Sequence, residues 1–85
     1  MSKIRVLLAD DQALLAAALS TILNAQDDIE VVTTAHTGNE AVTAAISHRI
    51  DVAILDIRMP GMDGIAAAQA ILSRAPDCRI IMLTT

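Results

Sequence analysis

The chain has no aromatic residue, a single cysteine and only six Lys and Arg in 85 residues, and each shortage excludes something. Without Phe, Tyr or Trp there is no stacking platform for single-stranded nucleic acid, and any core must come from Ile, Leu, Val, Met and many Ala. A net charge of -4 with no basic cluster leaves this segment without an electrostatic footprint for DNA or RNA. Cys78 has no internal disulfide partner; it reads as a buried, inert thiol suited to a reducing compartment. Long apolar runs are missing too. The run after Lys3 and Arg5 is cut off by Asp10 and Asp11, so neither a signal peptide nor a membrane span fits, and a soluble, cytoplasmic protein is expected. The length allows one domain with a thin stability margin, and no repeat, low-complexity tract or Gly/Ser-rich linker divides it.

What is present alternates in period. Ile4-Arg5-Val6-Leu7-Leu8-Ala9 is a short run of β-formers ending in two acids, and predicts a first strand. Residues 12–25 switch to helical spacing through Leu15, Leu19, Ile22 and Leu23, with Asp11 expected as the N-cap. A partly alternating run from Ile29 to Ala35 suits a strand near a sheet edge. Thr37 with Glu40 three residues later forms a capping-box pattern, and Ala41, Val42, Ala45 and Ile46 mark the apolar face of a second helix. Val52 to Asp56 is a third strand. Asp63 is expected to cap a third helix with Ile65, Ala68 and Leu72 inside and Pro76 beyond its end, and Arg79 to Thr84 is a fourth strand. This order argues for an α/β fold with a parallel sheet and, from right-handed crossovers, helices on both faces.

The strand at Val52-Ala53-Ile54-Leu55 delivers a carboxylate, Asp56, to its tip, where it could cap the following turn or do chemistry. Ligands of open parallel sheets bind outside the carboxyl ends of the strands. Those ends carry Asp10 and Asp11, Asp56, and Thr84 with Thr85. Like charges about 4 Å apart repel by about 4 kcal/mol at an effective dielectric near 20, so such a rim calls for a cation, a proton or solvent. Oxygen ligands favour a hard ion, and Mg²⁺ typically takes one or two carboxylates, waters and a substrate phosphate. With the ion screening it, Asp56 could act as a nucleophile toward phosphorus while Thr84 donates a hydrogen bond to the new phosphate. A set of N-caps and solvated turn acids accounts for Asp11 and Asp63 but poorly for Asp10 and Asp56 together. His36, in a loop, and His48, at a helix end, read as surface residues without a chemical task, and Met59 and Met62 as loop packing.

These motifs carry a family resemblance. Leu8-Ala9-Asp10-Asp11-Gln12, Leu55-Asp56-Ile57-Arg58-Met59-Pro60-Gly61-Met62-Asp63-Gly64 and Met82-Leu83-Thr84-Thr85 resemble the acidic pair, the phosphoacceptor loop and the switch-threonine strand of response-regulator receiver domains. The style is most similar to regulators that join a receiver to a LuxR-type (NarL/FixJ-like) helix-turn-helix domain. The resemblance implies a flavodoxin-like, doubly wound parallel sheet of order 2-1-3-4-5, incomplete here as β-α-β-α-β-α-β. Residues 1–85 would then be the N-terminal part of a receiver, with the remainder and any DNA-binding domain absent. It further implies that Asp56 accepts a phosphoryl group from a sensor histidine kinase. Asp10, Asp11, Asp56 and the backbone carbonyl of Arg58 would hold Mg²⁺, Thr84 would follow the phosphate, and the family's lysine would lie beyond residue 85.

Three functions stay open at this stage. The first is the phosphoacceptor module, reaching DNA only through an absent domain and having no membrane partner. The second is an aspartyl phosphatase or phosphotransferase; dehalogenase-type enzymes place another Asp two residues after the first, where this chain has Arg58, which counts against it. The third is a phosphorylation-incompetent interaction or dimerisation module. An unpaired fourth strand and bare apolar faces invite association, so a dimeric, swapped or incompletely folded chain is expected, and a monomer that melts cooperatively would refute this.

Overall fold

The computed structural model describes residues 2–83. Seven elements follow one another: β1 (Ile4–Ala9), α1 (Ala13–Asn24), β2 (Ile29–Ala35), α2 (Gly38–Ser47), β3 (Val52–Asp56), α3 (Gly64–Arg74) and β4 (Arg79–Leu83). The strands form one parallel sheet in the order β2-β1-β3-β4, so β1 and β3 are central and their carboxyl ends lie side by side. The alternation of strand and helix predicted from sequence is therefore the alternation found. The β1–β2 register slips between Val6 and Leu7, which places a bulge in the edge pair.

Side-chain alternation divides the sheet into two faces. Leu7, Ala9, Ala53 and Leu55 pack with Ala41 and Ala45 of α2 and Ala67 and Ile71 of α3 in one buried cluster. Val6 and Leu8, also buried, fall on the opposite face with Ala16 of α1. Small residues let the helices seat closely. Ala fills most of the helix–sheet contacts, which is how a core without aromatic rings closes.

The amphipathic stripe of α2 holds except at Ile46, and those of α1 and α3 are turned by about one position. Ile22, Ile46, Ile65 and Leu72, expected inside, are 60, 48, 53 and 42% exposed. Ala16 in α1 and Ala67 and Ile71 in α3 are buried in their stead, whereas Ala41 and Ala45 of α2 are buried as expected and Val42 and Ala68 pack against the core. The reason is crowding. In α1 and α2 the closest approach falls on Ala, with Ile22 and Ile46 flanking it, whereas α3 turns Ile71 inward beside Ala67 and leaves Ile65 and Leu72 outside.

Two of the three expected caps form. Thr37 accepts a hydrogen bond from the Glu40 amide at 3.1 Å, and Asp63 accepts one from the Ala66 amide at 2.9 Å. Asp11 does not cap α1. The N-cap position is Gln12, whose side chain makes no capping bond, while its amide donates to Asp10 Oδ1 at 2.8 Å.

The amino end of the sheet is held by Asp51. Its Oδ2 accepts the Arg5 amide at 2.8 Å, its own amide donates to the Arg5 carbonyl, and its carbonyl accepts the Arg79 amide. This one residue ties β1, β3 and β4 together opposite the acidic rim. Asp51→Ala leaves the Arg5 amide without that partner and should cost about 1 to 2 kcal/mol, read as a lower thermal midpoint.

Cys78 is buried, as expected. Burial pushes its thiol above its ordinary value, with the Asp51 carboxylate adding to the rise and a hydrogen bond with the Ala53 backbone opposing it. Native protein should therefore alkylate far more slowly at neutral pH than urea-unfolded protein. A thiol raised by folding contributes stability below its unfolded value, and that contribution is lost as pH climbs past about 8.5.

Candidate metal and phosphoryl site

At the carboxyl ends of β1 and β3, Asp10, Asp11 and Asp56 each bring a carboxylate oxygen within 4.8 Å of the others. Asp10 and Asp56 are only 1 and 5% exposed, whereas Asp11 faces solvent. The strands dictate this. Asp10 directly follows β1 and Asp56 ends β3, and the register pairs Ala9 with Leu55, so adjacent chain positions meet at one level of the rim.

The backbone around Asp10 is fixed from the β2 side. Its amide donates to the Ala35 carbonyl at 3.0 Å, and its carbonyl lies 3.2 Å from His36 Nδ1. Asp10 Oδ1 takes the Gln12 amide, but Oδ2 is buried without a hydrogen-bond partner among the described residues. Asp56 Oδ1 accepts the Arg58 amide at 3.3 Å. A buried, unpartnered carboxylate oxygen beside two further carboxylates is costly unless a cation completes it. The donor set is all oxygen and fits a hard divalent ion such as Mg²⁺.

The loop carrying Arg58 is built around backbone contacts. The Gly64 amide donates to the Ile57 carbonyl at 2.9 Å, closing residues 57–63, and the Ile57 amide donates to the Leu83 carbonyl at 3.2 Å. Met59 is buried, Met62 is half-buried against the core, and Gly61 turns the chain with φ of +71°. Gly64 admits no side chain: a Cβ there would overlap the carbonyl oxygen of Asp56 and come within 2.9 Å of its carbonyl carbon.

The arrangement thus brings together the sequence-expected Asp10, Asp11 and Asp56, with Arg58 next to them. Thr84 lies outside the described residues. His48 is exposed at the end of α2, its Nδ1 3.0 Å from the Ala44 carbonyl. His36 is exposed as expected, yet its ring touches the backbone of an acidic-site residue, a link that sequence spacing gave no means to see.

Comparison with known proteins turns this geometry into an assignment. The response regulator receiver domain profile matches residues 6–85. The chain belongs to that family. It is 48% identical over 83 residues to a protein-glutamate methylesterase/protein-glutamine glutaminase of Caldanaerobacter subterraneus subsp. tengcongensis, a match covering 98% of this chain and 22% of that protein. It is 43% identical over 82 residues to the transcriptional regulatory protein DesR of Bacillus subtilis, covering 96% of this chain and 40% of DesR. Among solved structures, the CheX–CheY–BeF₃–Mg²⁺ complex from Borrelia burgdorferi matches with a TM-score of 0.90 and 33% identity, over 98% of this chain and 63% of that one. The chain is therefore a receiver domain of the two-component response regulators, in an α/β, flavodoxin-like parallel fold. It spans well under half the length of these curated relatives. In this receiver family the acidic pocket of the Asp10, Asp11 and Asp56 type can bind Mg²⁺. No helix of the described residues is long and apolar enough to cross a membrane.

Proposed function

We propose that this receiver accepts a phosphoryl group on Asp56 from a sensor histidine kinase, with Asp10, Asp11, Asp56 and the Arg58 carbonyl holding Mg²⁺. The observation that carries the reading is the buried Oδ2 of Asp10, unpartnered and within a cluster of three carboxylates at the sheet's carboxyl edge. Mg²⁺, when bound, would neutralise the carboxylates and the incoming phosphoryl oxygens.

The chain's own residues supply the rest. An Asp56 carboxylate oxygen forms the new O–P bond while the P–N bond to the kinase imidazole breaks, and the imidazole leaves with that electron pair. The Arg58 amide, bonded to Asp56 Oδ1, orients the carboxylate and stabilises its charge. Asp10, fixed by Ala35 and His36, is a rigid ligand, whereas the exposed Asp11 can adjust. Thr84 is the proposed hydroxyl that hydrogen-bonds the phosphate. The added charge of about -1.5 to -2 would reorganise the neighbouring loops as output.

The DesR likeness favours control of a transcription regulator in the full-length protein, whereas the methylesterase likeness shows that closely similar receivers accompany other outputs. An aspartyl phosphatase is disfavoured by Arg58, whose side chain is exposed and offers no second acid. β4 is an edge strand of the described sheet with Ile81 49% exposed, so a second copy is the proposed partner there for the isolated chain, read by sedimentation.

A test uses radiolabelled, autophosphorylated histidine kinase. Label should pass to this chain only with Mg²⁺ present and should be released by hydroxylamine, as an acyl phosphate is. Label that resists hydroxylamine would place the phosphate on a hydroxyl and reject the reading.

A further inference from the structure

Gly38 opens α2, is buried, and lies against the phosphoacceptor loop. A Cβ on it would overlap the carbonyl oxygen of Met62 and approach the Met62 carbonyl carbon and Cβ to 2.8 Å. Its backbone φ is not in the left-handed region, so conformational freedom does not explain the glycine. Close approach does. The next residue, Asn39, continues the contact: its Nδ2 is 3.9 Å from the position a Gly61 Cβ would occupy.

The same short junction reaches the other half of the acidic site. His36, two residues before Gly38, touches the Asp10 carbonyl, and Thr37 between them caps α2. The start of α2 therefore braces the loop that carries Arg58 while the end of β2 braces Asp10. Neither brace has a side chain in the carboxylate cluster.

We propose that Gly38 is a positioning residue for the phosphoacceptor loop. By letting the first turn of α2 seat against the Met62 backbone, it holds residues 57–63, whose Arg58 carbonyl would join Asp56 in holding the ion. The inference rests on the Mg²⁺ and phosphoacceptor reading above. A side chain at 38 must push Met62 outward, because the overlapped atoms are backbone and cannot rotate aside. Displacing ligand-bearing backbone by about 1 Å commonly costs ten- to hundredfold in metal affinity or rate.

The test compares the wild-type chain with Gly38→Ala, Met62→Gly and Asp51→Ala. Met62→Gly keeps the Met62 carbonyl but removes its Cβ from the contact and frees the loop backbone there without introducing an overlap, and Asp51→Ala destabilises the fold from the opposite end of the sheet. With no aromatic residue to report binding, MgCl₂ titrations are followed by backbone amide shifts, together with hydrogen exchange of the Gly64 amide. Gly38→Ala and Met62→Gly should raise the Mg²⁺ half-saturation about ten- to hundredfold and lower Gly64 protection relative to Asp51→Ala at matched stability. Asp51→Ala should keep the wild-type half-saturation. If Met62→Gly, or a folded Gly38→Ala, binds Mg²⁺ as the wild type does, the positioning role is overturned while the site stands. If the wild type shows no Mg²⁺-dependent shifts, the site reading fails and the proposal falls with it.

Discussion

Asp10→Asn should melt higher than the wild type in metal-free buffer while losing Mg²⁺-dependent phosphorylation. Both effects follow from one atom. Asp10 Oδ2 is buried without a partner, and its carboxylate sits in a cluster with those of Asp56 and Asp11. The amide keeps an oxygen for the Gln12 N–H and removes a charge from the cluster. Relief of repulsion should add about 1 to 2 kcal/mol, after discounting for solvent around the exposed Asp11. For a chain of this size that is roughly 5 to 15 °C in Tm. The lost ligand should weaken Mg²⁺ binding by about a hundredfold, since a site with so few protein oxygens has no spare. Differential scanning calorimetry and a MgCl₂ titration read the two quantities separately, and a variant that melts lower yet binds Mg²⁺ normally would contradict the reading of Asp10 as a strained ligand. The expected result is a trade of stability for function, as where sites store electrostatic strain.

Gly64→Ala, like Gly38→Ala, should be strongly destabilising for a single-methyl change. The added Cβ overlaps the carbonyl oxygen of Asp56 and lies 3.0 Å from Ile57 Cα, so backbone must move at the junction of β3 and α3. Overpacking of this kind costs about 3 kcal/mol, which is a large share of what a small domain has to lose. Gly61→Ala makes a sharp comparison. Gly61 has φ of +71° but open space, its nearest atom being Asn39 Nδ2 at 3.9 Å, so the change should cost only about 1 kcal/mol of backbone strain. Urea melts of the two variants should therefore rank Gly64→Ala well below Gly61→Ala; the reverse order would mean that conformation, and not space, governs this loop.

The two glycines also show what the sequence could convey. Turn residues at 60, 61 and 64 announced a tight loop after a buried strand, and the period changes announced every element of the sheet and its helices. Asp10, Asp11 and Asp56 were legible as a group because parallel topology forces strand ends to one edge. Distances between helices and loops were not legible. Gly38 lies inside a Thr-Gly-Asn-Glu capping pattern that already had a local explanation, so its contact with Met62, more than twenty residues away, left no further trace in the spelling. Ile22, Ile46, Ile65 and Leu72 mislead for a related reason: periodicity gives a stripe about three residues wide, and the closest line within it is chosen by sheet twist and by Ala on the facing element. Asp11 lost its expected cap because Asp10, one position earlier, turned its own carboxylate onto the Gln12 amide.

We propose that Asp56 takes the phosphoryl group in a site completed by Mg²⁺. Intact-mass measurement after incubation with a small acyl-phosphate donor tests it most directly, on the wild type with and without Mg²⁺ and on Asp56→Asn with Mg²⁺. One phosphoryl increment on the wild type, dependent on Mg²⁺ and absent from Asp56→Asn, is the predicted result. An equal increment on Asp56→Asn, or none on the wild type, would contradict it.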